Sequence, residues 1–368
     1  MTAFDAREGA IARAPGGLET GMDRGFRILA FAAGFATIGL LVSILFIIGE
    51  EALPAMRLEG IGFLTSNVWA PGRHQFGILA EIWGTLYSSL LALAIAGFFG
   101  VAMALFLTQD FLPPRVAYVF RLIIEMLAAI PSVVFGLWGI FVIRPFLLPL
   151  EHWLNANLGW IPLFGGTATS TGSTILAGAV VLAVMILPII TSISREIFLQ
   201  TPRLHEEAAL ALGATKWELI RLAVFPYARS GVVSAILLGL GRALGETMAI
   251  ALIISPSLIF SLHLLTDTQN SQTIAANLAL NFPESNTLQR QALIGTGLML
   301  FVISLAVNFA ARGIIARTGP GAGTKKRSKS AGVVVAAGGN PTTDAAVESI
   351  VAEETESPAA RAAREGAS

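Results

Sequence analysis

Residues Thr201–Gly231 read TPRLHEEAALALGATKWELIRLAVFPYARSG. Capping chemistry divides this stretch. Thr201 followed by Pro202 predicts an N-cap with proline at the first helical position. Glu206 and Glu207 fall early in that helix, where the macrodipole favours acid. Gly213 predicts its end. Thr215 with Glu218 three residues later is a capping box that opens a second helix, and Pro226 predicts the end of that one. The unit is therefore helix, turn, helix, with Ala208, Ala209 and Ala211 giving the first helix a small-residue surface suited to close docking. An ordinary surface hairpin carries the same local marks, so its meaning depends on what flanks it.

The flanks are apolar. The chain has 368 residues, 54% of them hydrophobic and 13% charged, and its mean hydropathy is +0.72. Soluble domains carry about 25% charged residues, so most of this chain has no water to face. A bilayer span needs about 20 apolar residues. Six stretches qualify, at about Arg27–Ile48, Ile78–Leu107, Val116–Ile143, Thr174–Ile193, Gly231–Ile254 and Leu293–Ile315, with Pro131 predicted to kink the third. The first is too long for a signal peptide's central region and lacks a convincing cleavage site. The predicted fold class is an all-α membrane protein with six spanning helices.

Lys and Arg set the expected orientation. With the N-terminus inside, the inner side gathers Arg24, Arg115, Arg195, Arg203, Lys216, Arg312 and Lys325 among others, while Arg57, Arg73, Arg144 and Arg290 fall outside, a ratio of about four to one. Both termini are expected in the cytoplasm, which makes the Thr201–Gly231 hairpin a cytoplasmic loop. Residues 1–26 are expected to be a cytoplasmic segment, 27–317 the membrane domain with its loop at about 195–230, and 318–368 a disordered tail whose KKRSK run contacts anionic lipid. GPGAGTKK, from Gly319, has the wrong spacing for a phosphate-binding loop and follows no strand. The chain thus shows no ATP site of its own, and no cofactor is expected. Zero cysteines exclude thiol chemistry, and the four histidines show no paired metal-ligand spacing. A net charge of zero gives a nucleic-acid partner no support.

The hairpin resembles the EAA loop of ABC importer permeases, the inner-membrane components of binding-protein-dependent transport. Glu207, Ala208 and Ala209, then Gly213, then Phe225 and Pro226, follow the pattern EAA-x3-G-x9-I-x-LP, with Ala223 and Phe225 as apolar departures. MLAAIPSVVFGLWGIFV from Met126 and GLGRALGETMA from Gly239 are similar to Pst-type phosphate permeases of the PstC-like kind. The resemblance spans about residues 75 to 315. It implies a MetI-like six-helix permease in the bacterial cytoplasmic membrane that does no covalent chemistry. It implies a PstA-like sister permease, PstB-like ATPase subunits and a PstS-like extracytoplasmic phosphate-binding protein as partners. It also implies that Glu207, Ala208, Ala209, Gly213 and Pro226 belong to the loop that couples to the ATPase. Arg242, Glu246 and Thr247 are the residues expected on the substrate pathway.

Arg242 and Glu246 stand out on physical grounds as well. A charge at the bilayer centre costs about 2.5–3.5 kcal/mol on insertion scales. Four residues apart, the two would share one helical face, beside a Gly241/Gly245 pair that admits a second backbone. A guanidinium fork matches phosphate geometry, and a neighbouring carboxylate would keep it from holding the anion too tightly. The same pair could be a structural ion pair locking the bundle. Three other readings stay open: a permease for sulfate or molybdate, which Arg242 would serve equally; a secondary transporter driven by an ion gradient, although no internal repeat is evident; and a structural membrane scaffold, which leaves Arg242 and Glu246 unexplained. Arg121 and Glu125 are expected to pair at an interface. Glu81, with Thr85, Tyr87, Ser88 and Ser89, could line the pathway's mouth or bond between helices. Trp69, Trp83, Trp153 and Trp160 are expected as interfacial anchors.

Overall fold

The computed structural model describes residues 17–109 and 111–318, with side chains described for 22–109 and 111–313. The expectations for 1–16 and for the tail beyond 318 lie outside the described residues. Chain order begins with α1 (Gly17–Glu59), a short α2 (Gly62–Thr65) and a two-residue antiparallel ribbon of β1 (Trp69–Ala70) and β2 (Gln75–Phe76). There follow α3 (Leu79–Thr108), α4 (Pro114–Ala128), α5 (Ser132–Trp138), α6 (Arg144–Leu158) and α7 (Ile175–Leu199). The second half comprises α8 (Arg203–Ala211), α9 (Lys216–Leu219), α10 (Phe225–Leu244), α11 (Met248–Ile253), α12 (Ile274–Asn281) and α13 (Thr287–Thr318). Single π turns at Gly139–Ile143 and Ile220–Val224 join α5 to α6 and α9 to α10.

Among the described residues, six helical stretches are long and apolar enough to cross a membrane: Met22–Glu59, Leu79–Thr108, Ser132–Leu158, Ile175–Leu199, Lys216–Leu244 and Thr287–Gly313. The expected all-α, six-span class holds, with the first span longer at both ends, the fourth and sixth longer at one, and the third and fifth redrawn. The third span is Ser132–Leu158, not Val116–Ile143. Pro131 does not kink one helix but separates two, because the residue before a proline is pushed out of the helical region. α4 thus stands apart as its own amphipathic helix. The fifth span starts at Lys216 and stops at Leu244. Pro226, expected to end the second hairpin helix, sits in the first turn of α10 and the chain stays helical through it. The wider π turn just before it shifts the bonding register where proline supplies no N–H.

α7 is the hub, buried along most of its length. On α3, Ala92, Ala96, Gly100 and Ala104 recur every four residues, all buried, as a groove of small residues. Ile190 of α7 wedges between that groove and α10. A Cβ added at Gly100 would lie 3.0 Å from Ile190 Cγ2, and one at Gly239 would lie 2.9 Å from Ile190 Cδ1. Ile186, one turn earlier on α7, is fully buried like Ile190 itself. By contrast α1 keeps Phe31, Phe35 and Phe46 exposed, as an apolar helix facing hydrocarbon does. α1 meets α13 near Ala52 and Gly295, against Phe63.

Candidate functional site

The hairpin forms much as its caps dictate. Thr215 Oγ1 accepts from the Glu218 N–H at 3.3 Å, and Glu218 Oε2 accepts from the Thr215 N–H at 2.8 Å, which completes the capping box. Gly213 sits at φ +82, the left-handed region that favours glycine. Its N–H donates to Leu210 O at 2.9 Å, and the Ala214 N–H donates to Ala209 O at 3.1 Å, closing α8. One cap differs from expectation. Pro202 takes the N-cap position, and the Thr201 side chain is buried below it with no bond to α8. α8 buries none of its residues. Leu204, Leu212 and Trp217 are exposed around the turn, and Glu207 and Ala208 are exposed with them. Large apolar side chains left exposed among charged ones on a hairpin are what a protein contact surface presents.

At the far end of α10 the helix stops at Leu244. Gly245 takes φ −90 and ψ 0, and Thr247 Oγ1 bonds back to Gly245 O at 3.2 Å before α11 begins. This break overturns the expected Arg242–Glu246 pair. Residues four apart share a face only in a continuous helix, and here they fall on either side of a turn. Glu246 is 8% exposed, and its Oε1 accepts from the Ala249 N–H at 3.1 Å, serving a free donor in the first turn of α11. Arg242 is exposed, and among the described residues it has no ion-pair or hydrogen-bond partner. Both still line one cavity of about 1330 Å³, together with Ser234, Gly241, Gly245, Asn308 and Arg312. Thr247 flanks the break but does not line that cavity.

α11 is gripped at its other end by a residue that the sequence places only as an outside flank. Arg144, at the start of α6, donates from Nη2 to Leu252 O at 3.2 Å and to Ile253 O. A guanidinium on the last carbonyls of a helix satisfies acceptors and complements the dipole. A carboxylate at one end of α11 and a guanidinium at the other hold it as a short strut beyond Arg242.

The segment 255–273 then folds back over α3. Asn277 Nδ2 donates to the fully buried Glu81 Oε1 at 2.7 Å, and the Ile274 N–H donates to Thr85 Oγ1 at 3.0 Å. Glu81 therefore bonds between helices, the second of its two readings. Trp83 is no free anchor, since its Nε1 donates to Ser261 O at 2.8 Å. Asp267 Oδ2 collects the N–H groups of Ser170 and Thr171 and the hydroxyls of Thr169, Ser170 and Thr171, all at 3.0–3.2 Å. Burial pushes its carboxyl up, but these donors outweigh that and hold it below the usual aspartate range. Arg121 and Glu125 pair at 2.7 Å on the exposed face of α4.

Residues 96–320 match the family of binding-protein-dependent transport system inner membrane components. The chain belongs to that family. It is a multi-pass inner-membrane permease and not itself an enzyme. The phosphate transport system permease protein PstC 2 of Mycobacterium tuberculosis is 43% identical over 298 residues, covering 79% of this chain and 91% of the relative. PstC of Xylella fastidiosa is 39% identical over 298 residues, with 79% and 89% covered. PstC of Haemophilus influenzae is 38% identical over 283 residues, with 76% and 88% covered. Among solved structures, a bacterial alginate ABC transporter in complex with its alginate pentasaccharide-bound periplasmic protein aligns with a TM-score of 0.56. That alignment covers 81% of this permease and 98% of the matched chain at 14% identity, a likeness of fold.

Proposed function

We propose that this permease is one of two sister membrane subunits of an ATP-driven importer for inorganic phosphate. The observation that carries the reading is Arg242, a guanidinium without an acidic partner among the described residues that lines a large cavity beside a broken helix. An unpaired charge in a spanning segment is functional by default, and a guanidinium offers the planar fork that a tetrahedral oxyanion fits. The relatives' names support phosphate as that oxyanion. Glu246 acts by fixing α11 and by limiting how tightly the anion is held, and Thr247 shapes the turn between them.

The exposed hairpin around Glu207, Ala208, Ala209 and Gly213, with Pro226 behind it, is the coupling surface for a PstB-like ATPase. A PstA-like permease completes the pathway, and a PstS-like phosphate-binding protein delivers to the opposite face. Both termini lie in the cytoplasm, with 1–26 and 318–368 outside the membrane domain. ATP hydrolysis belongs to the partner.

Uptake of labelled phosphate by the assembled transporter, normalised to membrane abundance and challenged with sulfate and molybdate, tests this reading. Arg242→Ala should abolish uptake and Arg242→Lys should restore part of it, because a point charge replaces the fork. Competition by sulfate or molybdate as strong as by phosphate itself would sink the phosphate assignment. Normal uptake by Arg242→Ala would remove Arg242 from the pathway.

A further inference from the structure

The Arg242 cavity holds a second cation. Arg312 of α13 lines it, one turn beyond Asn308, as do Ser234 and Leu238 of α10. Three features separate Arg312 from an ordinary juxtamembrane anchor. Its side chain contributes to the cavity wall. It has no ion-pair or hydrogen-bond partner among the described residues. Its neighbour Asn308 donates one amide N–H to Ser304 O at 2.9 Å, leaving its second N–H without a partner among the described residues.

The helices fix where this cation stands. The start of α13 packs with Phe63, Phe76 and Ile78, at the start of α3. The end of α3, at Ala104, packs with Leu219 and Ile220 of the hairpin. α13 crosses in the same sense as α3, so Arg312 lies toward the hairpin. Along α10, Ser234 precedes Arg242 by eight residues, about 12 Å at the helical rise. The cavity is thus a passage with a guanidinium toward each end. Among the described residues the only acid lining it is Glu246, which is already engaged with the Ala249 N–H. Its wall carries two positive charges against one negative. At about 1330 Å³ it exceeds the 300–1,000 Å³ of fitted small-molecule pockets, as a hydrated route would.

We propose that Arg312, with Asn308, is a second oxyanion station at the hairpin end of this passage, taking phosphate from Arg242 before release. The inference rests on Arg242 being part of the pathway. A permeation path needs binding strong enough to admit the ion yet spread over several sites so that it can leave. One deep guanidinium alone would retain its anion. A second, farther along the passage, gives the anion a favourable place to go.

The test uses the complete transporter in ATP-loaded vesicles with labelled inorganic phosphate. Four variants are compared at matched membrane abundance: Arg242→Gln, Arg312→Gln, Arg312→Lys and Asn308→Ala. Losing one charge-assisted contact should lower the maximal rate of Arg312→Gln by about ten-fold or more, with the concentration for half-maximal uptake little changed, since loading is untouched. Arg312→Lys should recover most of the rate, and Asn308→Ala should lose several-fold. Native rates in both Arg312→Gln and Asn308→Ala, with Arg242→Gln inactive, would overturn the second station and leave Arg242 in place. An active Arg242→Gln would instead overturn the underlying reading. If Arg312→Gln is depleted from the membrane, Asn308→Ala decides: a native rate there makes Arg312 an anchor only.

Discussion

Gly84 on α3 is among the tightest positions in the fold. A Cβ placed there would lie 2.5 Å from both Gln272 O and Ser271 O, and 2.9 Å from Ser271 C. Ordinary contact begins at 3.4 Å, so the overlap is close to an ångström and falls on backbone. The backbone cannot retreat freely. The Gln272 N–H is held by Ser257 O at 2.9 Å, the Ile274 N–H by Thr85 Oγ1 at 3.0 Å, and Asn277 by Glu81 at 2.7 Å. Overpacking costs about 1–3 kcal/mol, and stretching one or two of these bonds adds about 0.5–1.5 kcal/mol each. Less the roughly 1 kcal/mol that alanine gains as a helix former, Gly84→Ala should therefore destabilise the permease by about 0.5–5 kcal/mol. Gly97→Ala, on the same helix, is the control. Its Cβ would find only Ile236 Cδ1 at 4.0 Å, and alanine is the better helix former by about 1 kcal/mol. Detergent-solubilised protein is heated and the monodisperse fraction measured. Gly84→Ala should lose its native form at clearly lower temperature than the parent, and Gly97→Ala should not. Equal melting of Gly84→Ala and the parent would refute the claim that 255–273 is seated rigidly on α3.

Three further outcomes follow from the same geometry. Thr215→Ala removes the hydroxyl that accepts from the Glu218 N–H; at about 1 kcal/mol, amide exchange in Lys216–Leu219 should quicken about five-fold, and unchanged exchange would deny the cap its role. Gly213→Pro loses both the positive φ and the N–H bond to Leu210, so phosphate uptake and its coupling to partner ATPase activity should vanish while insertion persists, and normal uptake would detach the hairpin from coupling. Asp267, held below the usual aspartate range, contributes stability that is present above its unfolded value of about 3.9 and lost as pH falls through its lower folded value. Asp267→Asn should accordingly expose residues 159–173 to protease at neutral pH, and the parent should show that cleavage only in acid; identical cleavage in both at neutral pH would dismiss the clamp.

The hairpin was legible because its determinants are local. Thr215, Glu218 and Gly213 act within three residues of the groups they serve. The spans were legible because hydrocarbon imposes one composition on every spanning helix. What escaped was whatever depended on a distant partner. Arg144 reads as a flank at the end of an apolar run, yet the carbonyls it serves lie 108 and 109 residues away. Asp267 carries no motif, and its donors sit 96 to 98 residues upstream.

The Arg242–Glu246 spacing misleads for a different reason. A four-residue interval is a statement about geometry only while the helix lasts, and glycine at 245 reads as a packing surface when it is where α10 ends. On the pathway proposed above, the consequence is functional. An Arg–Glu pair on one face would have cancelled its own charge inside the membrane. With the helix broken between them, Glu246 spends its charge on the first turn of α11, and Arg242 keeps its own for the cavity. The break keeps both charged residues while separating them. It leaves an acid and a base close in sequence, lining one cavity, and not neutralising each other, which is the condition an anion needs in order to find a cation there.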